Sequence, residues 1–159
     1  MTRKLLLPVL AGLLLNACSQ TDAPKSKTTA AAKPTAAPPT RWYTQAQVAR
    51  GGPLFQQHCA TCHRPDASGD PNWKEVDANG KLRPPPLNGT AHAWHHPLPL
   101  LRRIVRTGGV PMGGTMPPFG DKLTADQIDA ILAWVQSHWS DQVYAAWQQI
   151  DARKRRSGS

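Results

Sequence analysis

The sequence predicts an all-α fold, and three observations carry that prediction. Thr44-Gln45-Ala46-Gln47 and Thr124-Ala125-Asp126-Gln127 both have the capping-box form that opens a helix. The second box leads into apolar residues at helical spacing, namely Ile128, Ile131, Leu132, Val135 and Trp139. No stretch of the chain alternates between apolar and polar residues as a half-buried β-strand would, so helices should supply the core.

The first predicted helix runs from Thr44 into the sequence "CATCH". Val48, Gly51, Gly52 and Phe55 recur on one face of this helix, and the two glycines would let a second helix approach closely. Pro53 lacks a backbone N–H, so we expect the helix to be kinked or to restart there.

Two loops and two further helices complete the expected domain. Residues 64–96 are rich in Gly, Pro, Asn and Asp and predict a long ordered loop, which needs something to pack on. A short helix should follow from Pro97 or Leu98 to Thr107, where Gly108-Gly109 stops it. After a second loop and the helix that Thr124 opens, Ser140 is expected to cap an extra C-terminal helix reaching about Asp151.

The first 40 residues have the composition of an exported, lipid-anchored leader. Arg3 and Lys4 precede an 11-residue apolar run, Leu5–Leu15, which is too short to span a bilayer but fits an export signal. Leu15-Asn16-Ala17-Cys18 resembles a bacterial lipobox, which implies a signal peptide over 1–17 and a lipidated Cys18. Residues 18–40 are rich in Pro, Ala and Thr and predict a disordered tether.

The formal net charge of +9 belongs mostly to the two ends of the chain. Residues 41–152, the expected folded domain, hold ten Lys/Arg and nine Asp/Glu and are therefore +1. The first 40 residues and the basic tail, 153–159, carry +4 each. Because a nucleic-acid reader needs its charge on a folded face with motif support, we expect no nucleic-acid partner.

Cys59-Ala60-Thr61-Cys62-His63 is the motif that carries chemistry. A redox dithiol would open a helix in a βαβ setting, whereas this pair ends a helix and no strands are predicted. A zinc site would need two further ligands, which His92 and His95 would have to supply at unusual spacing. The C-x-x-C-H form favours covalent attachment of haem through two thioethers, with His63 as the proximal iron ligand.

Here the chain resembles the class I c-type cytochromes over about residues 44–139. Gly51 and Phe55 before the haem motif and Trp134 in a later helix match the family pattern, as do "PPPLNG" and Met116-Pro117. The resemblance implies a helical domain wrapped around one covalent haem c, with Met116 as the distal iron ligand. It also implies that the Pro85 carbonyl orients the His63 ring. The long loop before Pro85 and the helix after Ser140 depart from small members of the family.

The remaining histidines and methionines leave alternatives open. His58 is expected at the helix surface, while "HAWHH" places His92, His95 and His96 around Trp94. We expect one of these histidines to bond a haem propionate and Trp94 to pack near the ring. The alternative is a copper site formed with Met112. Met112 also competes with Met116 as haem ligand, but it precedes a flexible Gly pair, whereas Met116 precedes two prolines.

The sequence therefore predicts a membrane-tethered monohaem cytochrome c that passes single electrons between redox proteins outside the cytoplasmic membrane. A His/Met-ligated iron has no vacancy for a substrate, so the chain should not be an enzyme by itself. Two alternatives remain: a copper-handling or sensing module that uses the histidine cluster, and an electron-accepting subunit of a larger oxidoreductase.

Overall fold

The computed structural model describes residues 37–157. The signal peptide expected over 1–17, Cys18 and most of the expected tether lie outside the described residues. Five helices form the domain: α1 (Gln45–His58), α2 (Ala60–His63), α3 (Leu98–Thr107), α4 (Ala125–Ser137) and α5 (Asp141–Ser157). Within residues 37–157 the only extended pairing is two isolated bridges, Val76 with Leu82 and Leu82 with Gly114. The all-α prediction is confirmed.

Both predicted capping boxes form. The Thr44 hydroxyl accepts from the Gln47 amide N–H and the Gln47 side chain accepts from the Thr44 N–H; Thr124 and Gln127 do the same at α4. The restart expected at Pro53 does not occur, because α1 continues through it as one helix. Pro53 and Ala49 are both exposed, so water can reach the carbonyl that Pro53 cannot bond.

The crossing of α1 and α4 is the centre of the core. A Cβ on Gly51 would lie 1.9 Å from the Ala130 carbonyl oxygen, so the two backbones touch at this point. One turn later Phe55, fully buried, packs against Trp134 with ring centroids 4.3 Å apart. Because α1 leads directly into Cys59, this crossing fixes where the cysteine motif lies.

Gly51→Ala is expected to destabilise the protein by about 2–3 kcal/mol, because the new methyl group meets backbone and the helices must separate. Gly52→Ala is the matched control, since its Cβ would lie 3.1 Å from the Trp134 side chain, which can shift. Both changes gain the same helix propensity, so the difference between their unfolding free energies in denaturant isolates the clash. Equal stabilities would contradict the close crossing.

Two predicted helix ends were wrong. Trp139 was expected within the fourth helix, but α4 ends at Ser137 and Trp139 follows it, buried, with its indole N–H donating to the Leu87 carbonyl at 2.7 Å. The last helix was expected to stop near Asp151, but α5 reaches Ser157, so the basic tail is helical at least that far. Cations in the final turn stabilise the helix dipole, which accounts for the extension.

Side chains of α5 form hydrogen bonds with the end of the 64–96 loop and with the first residue of α3. Trp147 donates from its indole nitrogen to the His96 carbonyl at 2.9 Å. Asp151, only 2 % exposed, accepts the Leu98 N–H at 2.8 Å and so caps α3, whose own N-cap, Pro97, offers no side-chain oxygen. The long 64–96 loop also contains an unpredicted 3-10 helix, His92–His95. No helix in the described part of the chain is both long and apolar enough to cross a bilayer.

Candidate cofactor site

The cysteine motif lies at the junction of α1 and α2. Cys59 ends α1, with its N–H donating to the Phe55 carbonyl at 2.8 Å, and the His63 N–H donates to the Cys59 carbonyl at 2.9 Å. Cys59 and Cys62 are both free thiols, the first half-buried and the second exposed. One helical turn therefore presents two thiols and an imidazole from adjacent positions.

His63 is buried and its ring is held in one orientation. Its side chain is 8 % exposed, and Nδ1 lies 2.9 Å from the Pro85 carbonyl oxygen, the atom that the family resemblance pointed to. Because a carbonyl only accepts, Nδ1 carries the proton and donates it. Burial lowers the pKa of His63 and the Pro85 bond offsets part of that effect. The neutral ring thus keeps the lone pair of Nε2 for a metal ion.

The loop that carries Pro85 is fixed to the motif by backbone contacts. The Gly69 N–H donates to the His63 carbonyl at 2.9 Å, and the Leu87 N–H donates to the Ala67 carbonyl at 2.8 Å. Gly69 has φ +66, and a Cβ there would lie 2.5 Å from the Pro85 carbonyl carbon. Gly69 is a site residue that sequence reasoning missed. A lone glycine within a long loop gave no signal of its role.

The Cys59 thiol is half-buried, and this burial disfavours its ionised form. Burial, with a smaller contribution from Cys62, raises its pKa to about 11. Because the thiolate is the nucleophilic form, very little of it is present at neutral pH.

A second loop, between α3 and α4, carries both candidate methionines and is anchored to the end of α3. The Gly109 N–H donates to the Met116 carbonyl at 2.9 Å, and the Phe119 N–H donates to the Val105 carbonyl at 3.1 Å. Gly108, with φ +80, leaves no room for a Cβ, which would lie 2.8 Å from the Met116 carbonyl oxygen. Met116 is half-buried against the core, whereas Met112 is 52 % exposed.

The histidine-rich segment forms ring contacts. His92 lies tilted against Trp73 and edge-on to His96, at centroid distances of 5.3 and 5.7 Å, and His95 contacts Trp94 at 3.8 Å. Trp94 is partly buried and packs on the core, and burial lowers the pKa of His96, with smaller contributions from His92 and His95. Residues 37–157 contain no group of three or more His, Cys, Asp or Glu side chains that could hold a metal ion. Neither the zinc set of Cys59, Cys62, His92 and His95 nor a site made by the three histidines alone is therefore assembled among these residues.

These residues fit a haem. Two thiols one turn apart match the two vinyl groups that haem offers, and a buried neutral imidazole beside them offers an axial nitrogen. The all-α fold and this site define a c-type cytochrome. Residues 46–135, more than half of the chain, match the family described as cytochrome c oxidase, cbb3-type, subunit III, and the chain belongs to that family. The prediction of covalent haem c is confirmed by this membership.

One curated relative shows how far the likeness extends. The chain is 34 % identical over 97 residues to the cbb3-type cytochrome c oxidase subunit FixP of Sinorhizobium medicae (strain WSM419). The matched region is 58 % of this chain but only 30 % of that relative, so the chain spans less than a third of its length. The comparison with solved structures gives no significant match. Together these similarities support an electron-transfer role.

Proposed function

We propose that the protein is a one-electron carrier in which His63 and Met116 are the two axial ligands of haem c. The observation that carries the proposal is the buried His63 ring, oriented by Pro85 and adjoining two thiols. Haem, when bound, would supply a single Fe(III)/Fe(II) couple, and ligation by one imidazole and one thioether would raise its potential. Cys59 and Cys62 would hold the group covalently.

The two ligand loops are suited to electron transfer because both are held to helices. Pro85 keeps the His63 ring and its tautomer fixed through a proton that stays on Nδ1. The Met116 carbonyl accepts from the Gly109 N–H, and three residues later the Phe119 N–H donates to the Val105 carbonyl. Pro117 and Pro118 stiffen the chain between these two hydrogen bonds. Ligands held on both sides move little when the iron changes charge. These contacts, together with the family pattern, support the roles proposed for Pro85 and Met116.

A redox titration with optical spectra tests this proposal. The purified holoprotein should titrate as a single one-electron couple, and its ferric form should not bind cyanide rapidly, since both axial positions are filled. Two couples, or a ferric form open to cyanide at once, would contradict the proposed ligation.

We further propose that the redox partner is a terminal oxidase. The support is that the family name and the FixP relative both refer to a cytochrome c oxidase. Mixing pre-reduced holoprotein with purified cbb3-type oxidase should oxidise it with oxygen uptake. No oxidation at any oxidase concentration would reject this partner while leaving the carrier function standing. The copper-handling alternative has no assembled donor set to support it among residues 37–157.

We propose that the protein works outside the cytoplasmic membrane, anchored by lipid on Cys18. The support is the sequence of residues 1–18, with its basic start, apolar run and lipobox-like end. Cys18→Ser is expected to move the pigment from the membrane fraction to a soluble or uncleaved form, because serine offers no thiol to carry a diacylglyceryl group. Fractionation and intact mass spectrometry of both forms provide the measurement. A wild-type N-terminus without lipid would reject the anchor and leave the haem site unaffected.

A further inference from the structure

A shallow groove lies between α3 and α5, away from the cysteine motif. Pro97, Pro99, Leu100 and Ile150 give it an apolar lining, and Arg103 and Lys154 supply its charges. Each helix contributes an apolar residue and a cation one turn further on: Leu100 with Arg103, and Ile150 with Lys154. We call these six residues the α3–α5 groove. Two of the six come from α5, which lies beyond the region that matches the family.

The charge of the groove is uncompensated. Arg103 and Lys154 are exposed, and neither forms an ion pair within residues 37–157. The nearest acid along α5, Asp151, is buried and is already bonded to Leu98 and Arg155. Arg153 and Arg156 add further exposed positive charge to the same end of α5. The groove therefore fits a ligand that is anionic at one end and apolar at the other.

The chain that leads to Cys18 leaves the domain beside α5. Gln148 donates from its side chain to the Thr40 carbonyl at 2.7 Å, and Arg41 is paired with Asp141 at 2.6 Å. Gln148 is two residues before Ile150, so the two side chains lie on different faces of α5. The start of the described chain and the α3–α5 groove therefore both lie along α5, but on different faces of it.

We propose that the α3–α5 groove docks the domain on anionic phospholipid of a bilayer surface. Arg103 and Lys154 would bind the phosphate group, while Leu100 and Ile150 contact the upper acyl chain and the lysine stem lies along apolar surface. The adjoining cations of α5 add attraction to a negatively charged leaflet. The docking rests on the proposed location at a membrane but not on electron transfer, and it orients a domain whose tether would otherwise leave it free to rotate.

Nitroxide accessibility at α5 tests the docking. Holoprotein carrying Gln149→Cys, an exposed position beside the groove, is spin-labelled and added to vesicles of phosphatidylcholine with or without phosphatidylglycerol. In the presence of phosphatidylglycerol, relaxation by oxygen should rise several-fold relative to relaxation by a water-soluble nickel chelate. With phosphatidylcholine alone, the ratio of relaxation by oxygen to relaxation by the nickel chelate should stay as it is in buffer. This should hold even when the lipid anchor keeps the protein on the vesicle.

Charge reversal separates the groove from general electrostatics. Arg103→Glu with Lys154→Glu should abolish the change, and Arg50→Glu with Lys81→Glu, two exposed cations elsewhere, should leave most of it. An equal loss in both double variants, or no change with phosphatidylglycerol in the parent, would overturn the proposal. The proposal would also be overturned if an acidic peptide shielded the nitroxide from the nickel chelate and vesicles did not. None of these readouts depends on the haem potential, so a failed redox titration would remain distinguishable.

Discussion

A chain with both Cys59→Ala and Cys62→Ala is expected to contain no haem that survives acid-acetone extraction. The two thiols are the only described cysteines, and they lie one turn apart at the site that His63 completes. Each single variant should keep haem more weakly, through one thioether and the His63 ligand. Pyridine haemochrome spectra of extracted and unextracted protein measure the loss.

The same double variant should also be largely unfolded. Residues 64–96 form a long loop with one short 3-10 helix, and its contacts centre on His63, Pro85 and the core beneath them. A loop of this length without a cofactor to pack on has little to offset its ordering. Far-ultraviolet circular dichroism should therefore show a marked loss of helix and a lower midpoint in denaturant.

Thr61→Ala is the matched control for the cysteine variants. Thr61 is the exposed residue between the two thiols, so the change alters the motif without removing a bond-forming group. Haem content and stability should stay close to wild type. A colourless, folded wild-type protein containing zinc would contradict the haem assignment. A double alanine variant whose haem resists acid-acetone extraction would contradict it too.

Local chemistry explains which parts of this fold were predictable. Thr44 and Thr124 form their caps with residues three positions away, so the starts of α1 and α4 could be predicted from four consecutive residues. Gly108 likewise stops α3 at the expected place. The choice between a kink and a restart at Pro53 could not be made from the sequence, because the effect of Pro53 depends on whether solvent reaches the carbonyl one turn earlier, and that depends on the packing of the whole helix.

Long-range contacts explain what could not be predicted. The cap of α3 comes from Asp151, which is 53 positions away, and Arg102 pairs with Asp129 across two helices. The same limit applies to the site: the cysteine motif was evident from spacing, whereas the close approach of Gly69 to Pro85 exists only once the loop has folded. The carbonyl that faces His63 was anticipated through family resemblance rather than from the residues alone.

Two methionines, Met112 and Met116, are candidates for the distal iron ligand, and their surroundings favour Met116. Met116 is half-buried, its carbonyl is bonded to Gly109, and two prolines follow it. Met112 ends a short 3-10 helix, is 52 % exposed, and is followed by Gly113 in a left-handed conformation. Backbone hydrogen bonds hold both segments, so burial is what distinguishes the two thioethers, and the packing of Met116 against the core supports it as the ligand.

Met116→Ala is therefore expected to abolish the ferric sulfur-to-iron charge-transfer band and to lower the potential by on the order of 100 mV or more. It should also open the iron to cyanide and carbon monoxide, because an alanine methyl group cannot ligate. Met112→Ala, the matched control, removes the same thioether from the same loop and should leave all three properties nearly unchanged. If the effects of the two variants were exchanged, Met112 would be the ligand. If wild type lacked the band altogether, a histidine of the His92–His96 segment would become the next candidate, to be tested by replacing each in turn and following the low-spin ferric spectrum.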